Sequence, residues 1–274
     1  MTPSLGLLVI HGMGNQETDF GDDMIAEINE RVADQGADPA RLAWEKAYWA
    51  PLLSAQENDL WKRFYDKNDL DYAWIRRFVL NSFGDAVAYQ RVPGAQTDFY
   101  REAHKIIRAS LVRLREKLGN TDAPLIVLAH SLGSVMVSNY LWDQQHPVGK
   151  KVKGATPFER MKTLAGFITF GCNLAVYSFA HSPYTGFTFP PIDLPDSLKP
   201  LALWANYYDP DDVLGWPVKQ LCPEYEANPQ IADRPINVGG LLTSWNPAAH
   251  SEYWTDNDFT DPVAQQIADV LRAV

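Results

Sequence analysis

Two short apolar runs, each followed at once by a turn that contains histidine, constrain the fold of this chain most strongly. Leu5–Ile10 leads directly into His11–Gly14, and Leu125–Ala129 leads directly into His130–Gly133. Neither run alternates between apolar and polar residues, and such runs are typical of strands that are buried on both faces of a parallel sheet. The chain therefore contains at least two central strands whose carboxyl ends carry histidine-containing turns.

Other segments extend this pattern into an alternation of strands and helices. Leu164–Phe170 and Leu201–Tyr208 are predicted strands, and Arg41–Ala50 is a candidate for another. Helical spacing of apolar residues predicts four helices, at Asp22–Gln35, Asp98–Leu118, Val135–Trp142 and Asp261–Val274. Strands that alternate with helices indicate an α/β fold.

Aromatic residues concentrate in the two long segments that do not fit this alternation. Phe, Trp and Tyr make up 12% of the chain, and many of these aromatic residues lie in Trp44–Val92 and Tyr177–Phe189. Residues 58–83 look helical, whereas the proline-rich stretch Tyr177–Pro200 reads as irregular. A length of 274 residues favours one domain. We therefore predict a single domain over residues 1–274, with a helical insertion or cap at about 52–95; extra helices packed on the core are the alternative.

The charge balance excludes some classes of partner. A net charge of −10 argues against binding to nucleic acid and against strong association with anionic membranes. The only basic cluster, Lys150, Lys151 and Lys153, is typical of a solvated loop. Because no apolar run reaches about 18 residues and the first residues lack the Lys or Arg of a signal peptide, we expect a cytoplasmic protein. The sequence leaves its oligomeric state open.

The two cysteines do not indicate a disulfide framework or a metal site. Cys172 and Cys222 lie far apart and have no neighbours at metal-ligand spacing. We expect both to be small buried apolar residues.

The segment Leu125–Val135 contains the strongest catalytic signal in the chain. A strand, then a small-x-Ser-x-Gly turn, then a helix is the pattern of a nucleophile elbow. The turn is tight, so the positions two before and two after the serine must be small, and here they are Ala129 and Gly133. Ser131 is the candidate nucleophile, and the Leu132 N–H at the helix N-terminus is a candidate oxyanion donor. An ordinary helix-capping serine is the alternative interpretation.

A second Ala-His-Ser tripeptide, which ends at Ser182, serves as an internal comparison. Pro183 follows it, and proline has no N–H to donate and disfavours the elbow conformation. We therefore interpret Ser182 as a loop serine.

The turn after the first strand, His11–Gln16, is a candidate oxyanion loop. Glycines on both sides of Met13 allow the backbone to approach a ligand closely, so the Met13 N–H is the second candidate donor. A phosphate-binding Gly-x-Gly loop is the competing interpretation. The turn in this chain lacks the third glycine of such a loop, and no acidic residue follows it at the spacing that dinucleotide binding requires.

A serine nucleophile needs a base and an acid, which follow it in the order Ser, Asp, His in one known type of triad. His250 lies in a loop before the terminal helix and is the preferred base, with His181 as the second choice. Asp212 is the preferred acid because Asp212-Val213, with Pro217 shortly after, fits a familiar acid loop better; Asp209 and Asp211 remain alternatives. The aspartate cluster lacks the glycine and terminal glutamate of a calcium-binding EF-hand.

Five segments, taken in chain order, resemble the α/β-hydrolase superfamily, specifically its serine esterase and lipase-like members. They are LLVIHGMGNQ, LIVLAHSLGSV, FITFGCN, WANYYDPDDV and AAHSEYW. The resemblance implies a triad of Ser131, Asp212 and His250, with Met13 and Leu132 as oxyanion donors. Because little precedes the first strand, it also implies a mostly parallel sheet of about six strands without the usual antiparallel edge strands.

The expected function is cleavage of a small-molecule carboxylic ester, with an apolar acyl or alkyl group, through an acyl-enzyme. No cofactor is expected, and no metal, since the sequence has no HExxH motif and no Cys/His cluster. The same triad would serve an acyltransferase, a thioesterase or an amidase. A non-catalytic α/β-hydrolase-like binding protein is the alternative from a different class.

Overall fold

One six-stranded sheet, in which every strand is parallel to its neighbours, forms the centre of the computed structural model. The structure describes residues 2–13, 16–65, 68, 71–73, 76–77, 80, 84, 88–89, 98–146, 154–180, 183–239 and 247–274. The strands are β1 (Leu5–Ile10), β2 (Leu42–Ala47), β3 (Leu125–His130), β4 (Leu164–Phe170), β5 (Leu203–Tyr208) and β6 (Ile231–Pro235). Their order across the sheet is β2-β1-β3-β4-β5-β6. The prediction of an α/β fold with about six mostly parallel strands is confirmed.

Seven α-helices whose full extent is described connect or flank these strands, and isolated described residues between 71 and 89 are also helical. They are α1 (Asp22–Asp34), α2 (Pro51–Phe64), α3 (Phe99–Lys117), α4 (Leu132–Gln145), α5 (Leu174–Tyr177), α6 (Pro223–Glu226) and α7 (Asn257–Arg272). Short 3₁₀ helices span Pro39–Arg41, Ser178–Ala180, Lys199–Leu201, Lys219–Leu221 and Pro247–Thr255. None of the helices within these ranges has the length and apolarity needed to cross a membrane.

Uninterrupted apolar strands are buried on both faces, as the sequence predicts. Every residue of β1, β3 and β4 is buried. Helix α1 packs against α7, while α3 packs against β1, β2 and α4. The core lies between these helices and the sheet, and both cysteines are buried free thiols, as expected.

The predicted element bounds differ from the structure mainly at helix starts. Helix α7 begins at Asn257 rather than at Asp261, because the Asp256 side chain accepts the Asp258 N–H and caps the helix four residues earlier. Helix α2 begins at Pro51, where proline suits the first turn. Its helical character agrees with the prediction for that region, but most of residues 66–97 lies outside the described residues.

The strand order places a topological switch point between β1 and β3. From β1 the chain passes to β2 on one side of the sheet and then returns to β3 on the other side. In open parallel sheets, ligands bind at the carboxyl ends of strands where the order reverses in this way. The turns that follow β1 and β3 are the two histidine-containing turns of the sequence, so both candidate loops meet at this point.

We predict that shortening a central core side chain will cost far more stability than shortening the same side chain at the surface. Val127 on β3 is fully buried, whereas Val112 on α3 is 37% exposed. Val127→Ala should lower the free energy of unfolding by about 2–3 kcal/mol, since it removes buried methyl groups and leaves a cavity. Val112→Ala should change it by less than about 0.5 kcal/mol. Urea denaturation measures both, and equal losses would contradict the assigned core.

Candidate active site

Ser131 is the single residue between the end of β3 and the start of α4. Its backbone has φ 49° and ψ −124°, a conformation that few residues other than glycine adopt. The Ser131 N–H donates to the Phe170 carbonyl oxygen at the end of β4 (3.0 Å), which holds the turn in place. A strained serine at a strand-to-helix turn is the geometry that the elbow pattern predicts.

Close backbone contacts explain why small residues surround the serine. A Cβ on Gly133 would lie 2.6 Å from the carbonyl oxygen of His11, and one on Gly12 would lie 2.6 Å from the Cβ of Ser131. Neither contact leaves room for a side chain. The loop after β1 therefore lies directly against the turn after β3.

The structure brings Ser131, His250 and Asp212 together in one chain of hydrogen bonds. The Nε2 of His250 lies 2.7 Å from the Oγ of Ser131, and its Nδ1 lies 2.9 Å from Oδ2 and 3.1 Å from Oδ1 of Asp212. An ionised carboxylate only accepts hydrogen bonds, so Nδ1 carries the imidazole hydrogen and Nε2 is free to accept the serine hydroxyl proton. This is the arrangement in which an imidazole acts as base toward serine.

Asp212, rather than Asp209, is the carboxylate that reaches the imidazole. The Oδ1 of Asp209 accepts the Asp211 N–H and its Oδ2 accepts the Val238 N–H, both at 2.7 Å. These bonds tie the end of β5 to the segment after β6. Asp209 is therefore part of the framework of the acid loop.

The environment of Asp212 keeps its carboxylate ionised. Burial by itself raises the pKa of Asp212, but hydrogen bonds and the nearby charge of His250, with further hydrogen bonds from the Leu214 N–H and the Tyr253 hydroxyl, lower it below its ordinary value. A buried carboxylate with three donors is well suited to hold an imidazole in one tautomer.

The two candidate oxyanion donors lie next to the serine. Leu132 is the first residue of α4, so its N–H has no partner within the helix. Met13 follows Gly12, on which a Cβ would lie 2.6 Å from the Cβ of Ser131, and the Met13 side chain packs against the core. The roles of Leu132 and Met13 as oxyanion donors stay predictions, and the neighbouring Gly14 and Asn15 lie outside the described residues.

His11 anchors the loop after β1. Its Nδ1 donates to the Gly12 carbonyl oxygen (2.8 Å), while its Nε2 accepts the Trp49 N–H (3.1 Å) and the Ala50 N–H (3.3 Å). The imidazole stacks on the Trp49 ring at 4.7 Å between centroids. Burial lowers the pKa of His11 to about 4, so the ring is neutral at pH 7.

His130 and Tyr253 contact the site, although no role is predicted for either from the sequence. The Nε2 of His130 donates to the His250 carbonyl oxygen (2.8 Å), and its Nδ1, buried beside Gly12, has no hydrogen-bond partner among the described residues. Burial, and then the proximity of His250, lower the pKa of His130 to about 3. The Tyr253 hydroxyl donates to Oδ2 of Asp212 (2.9 Å). The only sequence signals for them are their positions beside Ser131 and His250.

Two predicted features lie outside the described residues. These are His181, the second choice for the base, and Ser182, the predicted loop serine. The same holds for much of the aromatic segment, including Trp74, Phe78 and Phe83. The proposed cap thus stays a prediction.

Within the described ranges, no group of three His, Cys, Asp or Glu side chains is placed to hold a metal ion. No family model matches the chain, and no curated protein matches its sequence. The six-stranded parallel sheet agrees with the α/β architecture that the resemblance implies.

We predict that the two buried neutral histidines make the protein less stable as the pH falls from about 6.5 toward 4. Their pKa values are about 4 for His11 and about 3 for His130, against about 6.5 in an unfolded chain, so in this window the unfolded state binds more protons. The free energy of unfolding should fall by up to about 1.4 kcal/mol per pH unit for each histidine.

The variant His130→Gln tests this assignment, because glutamine keeps a donor near the position of Nε2 but does not titrate. Urea denaturation at several pH values should show a shallower dependence in His130→Gln than in the unsubstituted protein. An unchanged slope would contradict a neutral His130 in the folded state.

Proposed function

We propose that the protein is a serine hydrolase of the α/β-hydrolase superfamily that cleaves carboxylic esters through an acyl-enzyme. The observation that carries this proposal is the hydrogen-bonded series Asp212–His250–Ser131, which ends at a serine on a strained strand-to-helix turn. All three side chains are buried, so their mutual geometry is fixed before a substrate binds.

In the first half of the reaction the serine attacks the ester carbonyl. The Ser131 hydroxyl proton moves to Nε2 of His250 as Oγ forms a bond to the carbonyl carbon. The carbonyl oxygen becomes an oxyanion that the N–H groups of Leu132 and Met13 stabilise, each worth a few kcal/mol. Asp212 stabilises the imidazolium, which then protonates the departing alkoxide as the C–O ester bond breaks.

In the second half, water releases the acyl group. His250 takes a proton from water as the water oxygen attacks the acyl carbon, and the imidazolium returns that proton to Oγ of Ser131 as the acyl–serine bond breaks. The products are the carboxylic acid and the alcohol, and the enzyme is restored.

Exposed apolar side chains support a substrate with an apolar group. Val176 and Phe179 follow β4 and are 46% and 89% exposed, while Val213 and Trp216 follow β5 and are 66% and 46% exposed. The two segments touch, since the Trp216 N–H donates to the Cys172 carbonyl oxygen (2.8 Å). They lie at the same edge of the sheet as Ser131, where an acyl or alkyl chain would extend from the reacting carbonyl.

We predict that Ser131→Ala will abolish covalent labelling by a fluorophosphonate probe and will lower the hydrolysis of p-nitrophenyl esters by at least about 10⁴-fold, since it removes the nucleophile. Ser134→Ala is the matched control. Ser134 lies three residues after Ser131, and its Oγ is also buried and donates to the Ala129 carbonyl oxygen (2.8 Å). This variant should keep labelling and turnover.

Rates measured with p-nitrophenyl esters of increasing acyl length identify the acyl-chain length that the protein prefers. Labelling that survives in Ser131→Ala would reject Ser131 as the nucleophile. An intact protein that neither labels nor turns over any ester would favour a binding protein instead.

We also predict that the two aspartates will differ sharply in kinetics. Asp212→Asn should lower kcat by about 10³–10⁴-fold, because the imidazole loses the carboxylate that sets its tautomer. Asp209→Asn should lower stability, since its carboxylate accepts two backbone N–H groups, but should leave most of kcat. Steady-state kinetics and thermal unfolding separate these effects, and a collapse of kcat in Asp209→Asn alone would reverse the assignment.

A further inference from the structure

Tyr253 is the one side chain other than His250 whose polar atom donates to the buried Asp212 carboxylate in the described structure. Its hydroxyl lies 2.9 Å from Oδ2, the oxygen that also receives the shorter bond from Nδ1 of His250. Tyr253 is fully buried. We propose that Tyr253 is a positioning residue of this active site, which fixes the Asp212 carboxylate in the orientation that meets His250; this inference rests on the proposed function.

The local helix explains why both side chains reach the same carboxylate. His250 and Tyr253 are three residues apart on the 3₁₀ helix Pro247–Thr255. Because a 3₁₀ helix has three residues per turn, positions i and i+3 lie on the same face. One turn therefore presents an imidazole and a phenol side by side to Asp212.

The direction of the phenolic hydrogen is set by a second contact. The Tyr253 oxygen accepts the backbone N–H of Asp209 at 2.8 Å, so its own proton is the one available to Asp212. Burial, and then the negative charge of Asp212, raise the pKa of Tyr253 far above its ordinary value, and the phenol keeps its proton. Tyr253 thus joins the end of β5, the acid and the base in one hydrogen-bonded unit.

The remaining contacts of the carboxylate leave it little freedom to rotate. The Leu214 N–H donates to Oδ1 (3.0 Å), and a Cβ on Gly215 would lie 2.7 Å from Oδ2 and 3.2 Å from the Tyr253 hydroxyl. The carboxylate is thus held by Leu214 on one oxygen and by Tyr253 on the other. Removing the hydroxyl leaves Oδ2 with the imidazole as its only donor among these contacts.

The test compares Tyr253→Phe with Tyr140→Phe. The Tyr140 hydroxyl is also buried and donates one hydrogen bond, to the Glu159 carbonyl oxygen (2.7 Å), on a different part of the molecule. Tyr253→Phe should lower kcat for a p-nitrophenyl ester about tenfold with KM unchanged, the size expected for one hydrogen bond to a charged group. Tyr140→Phe should lower thermal stability to a similar degree but leave kcat unchanged.

A double-mutant comparison separates positioning from general destabilisation. If Tyr253 acts through Asp212, then Tyr253→Phe should cause no further loss of kcat in the Asp212→Asn background. A full tenfold loss in that background, or an unchanged kcat in Tyr253→Phe alone, would overturn the proposal.

Proton NMR distinguishes failure of this proposal from failure of the proposed function, because it requires no turnover. The hydrogen on Nδ1 of His250, bonded to Asp212, should give a downfield resonance that disappears in Asp212→Asn. It should shift in Tyr253→Phe and not in Tyr140→Phe. If the protein hydrolyses no ester but Tyr253→Phe shifts this resonance, the proposed hydrolase function is rejected and the positioning role is upheld. If Tyr253→Phe does not move the resonance, the positioning role is overturned.

Discussion

The loop after β1 and the turn after β3 meet with no side chain between them. The closest approaches are at Gly12 and Gly133, where an added Cβ would lie 2.6 Å from an atom of the other segment. Parallel pairing of β1 and β3 brings the two strand ends to the same edge, and the hydrogen bond from Ser131 to Phe170 ties this junction to β4. The candidate site depends on this contact, because it brings the loop that carries Met13 against the turn that carries Ser131.

Three histidines share this small region, and their surroundings give them different roles. Within the described part of the chain, His11 and His130 have no hydrogen bond to a carboxylate. Each is neutral at pH 7 and holds a backbone carbonyl, of Gly12 and of His250 respectively. His250 alone is paired with a carboxylate and a serine. Burial without a counter-charge favours the neutral imidazole of His11 and His130. His130 therefore supports the backbone of His250, whereas His11 supports the loop after β1.

The sequence predicted the parts of the structure that depend on short continuous patterns. The apolar runs of β1, β3 and β4 predict buried parallel strands. The small-x-Ser-x-Gly pattern predicts the strand-to-helix turn at Ser131 without reference to any distant residue. Strand β6 escaped prediction because Ile231–Pro235 is short, polar and ends in proline, which an edge strand tolerates. The contacts of His130 and Tyr253 also escaped, since each joins residues that are far apart in the chain: 120 positions for His130 and His250, and 41 for Tyr253 and Asp212.

The aromatic excess of the sequence is explained in part by the loops that carry the site. Trp49 stacks on His11 and donates its indole N–H to the His11 carbonyl oxygen, and the Tyr48 hydroxyl donates to the Gln16 carbonyl oxygen. Trp254 packs against His130 and against Phe20, whose ring also contacts His11 and Tyr48. Aromatic side chains with a polar end suit such positions, because they bury a large surface while binding a backbone group that a loop leaves unpaired. Some of the aromatic residues outside the alternating strands and helices therefore anchor the loops of the candidate site.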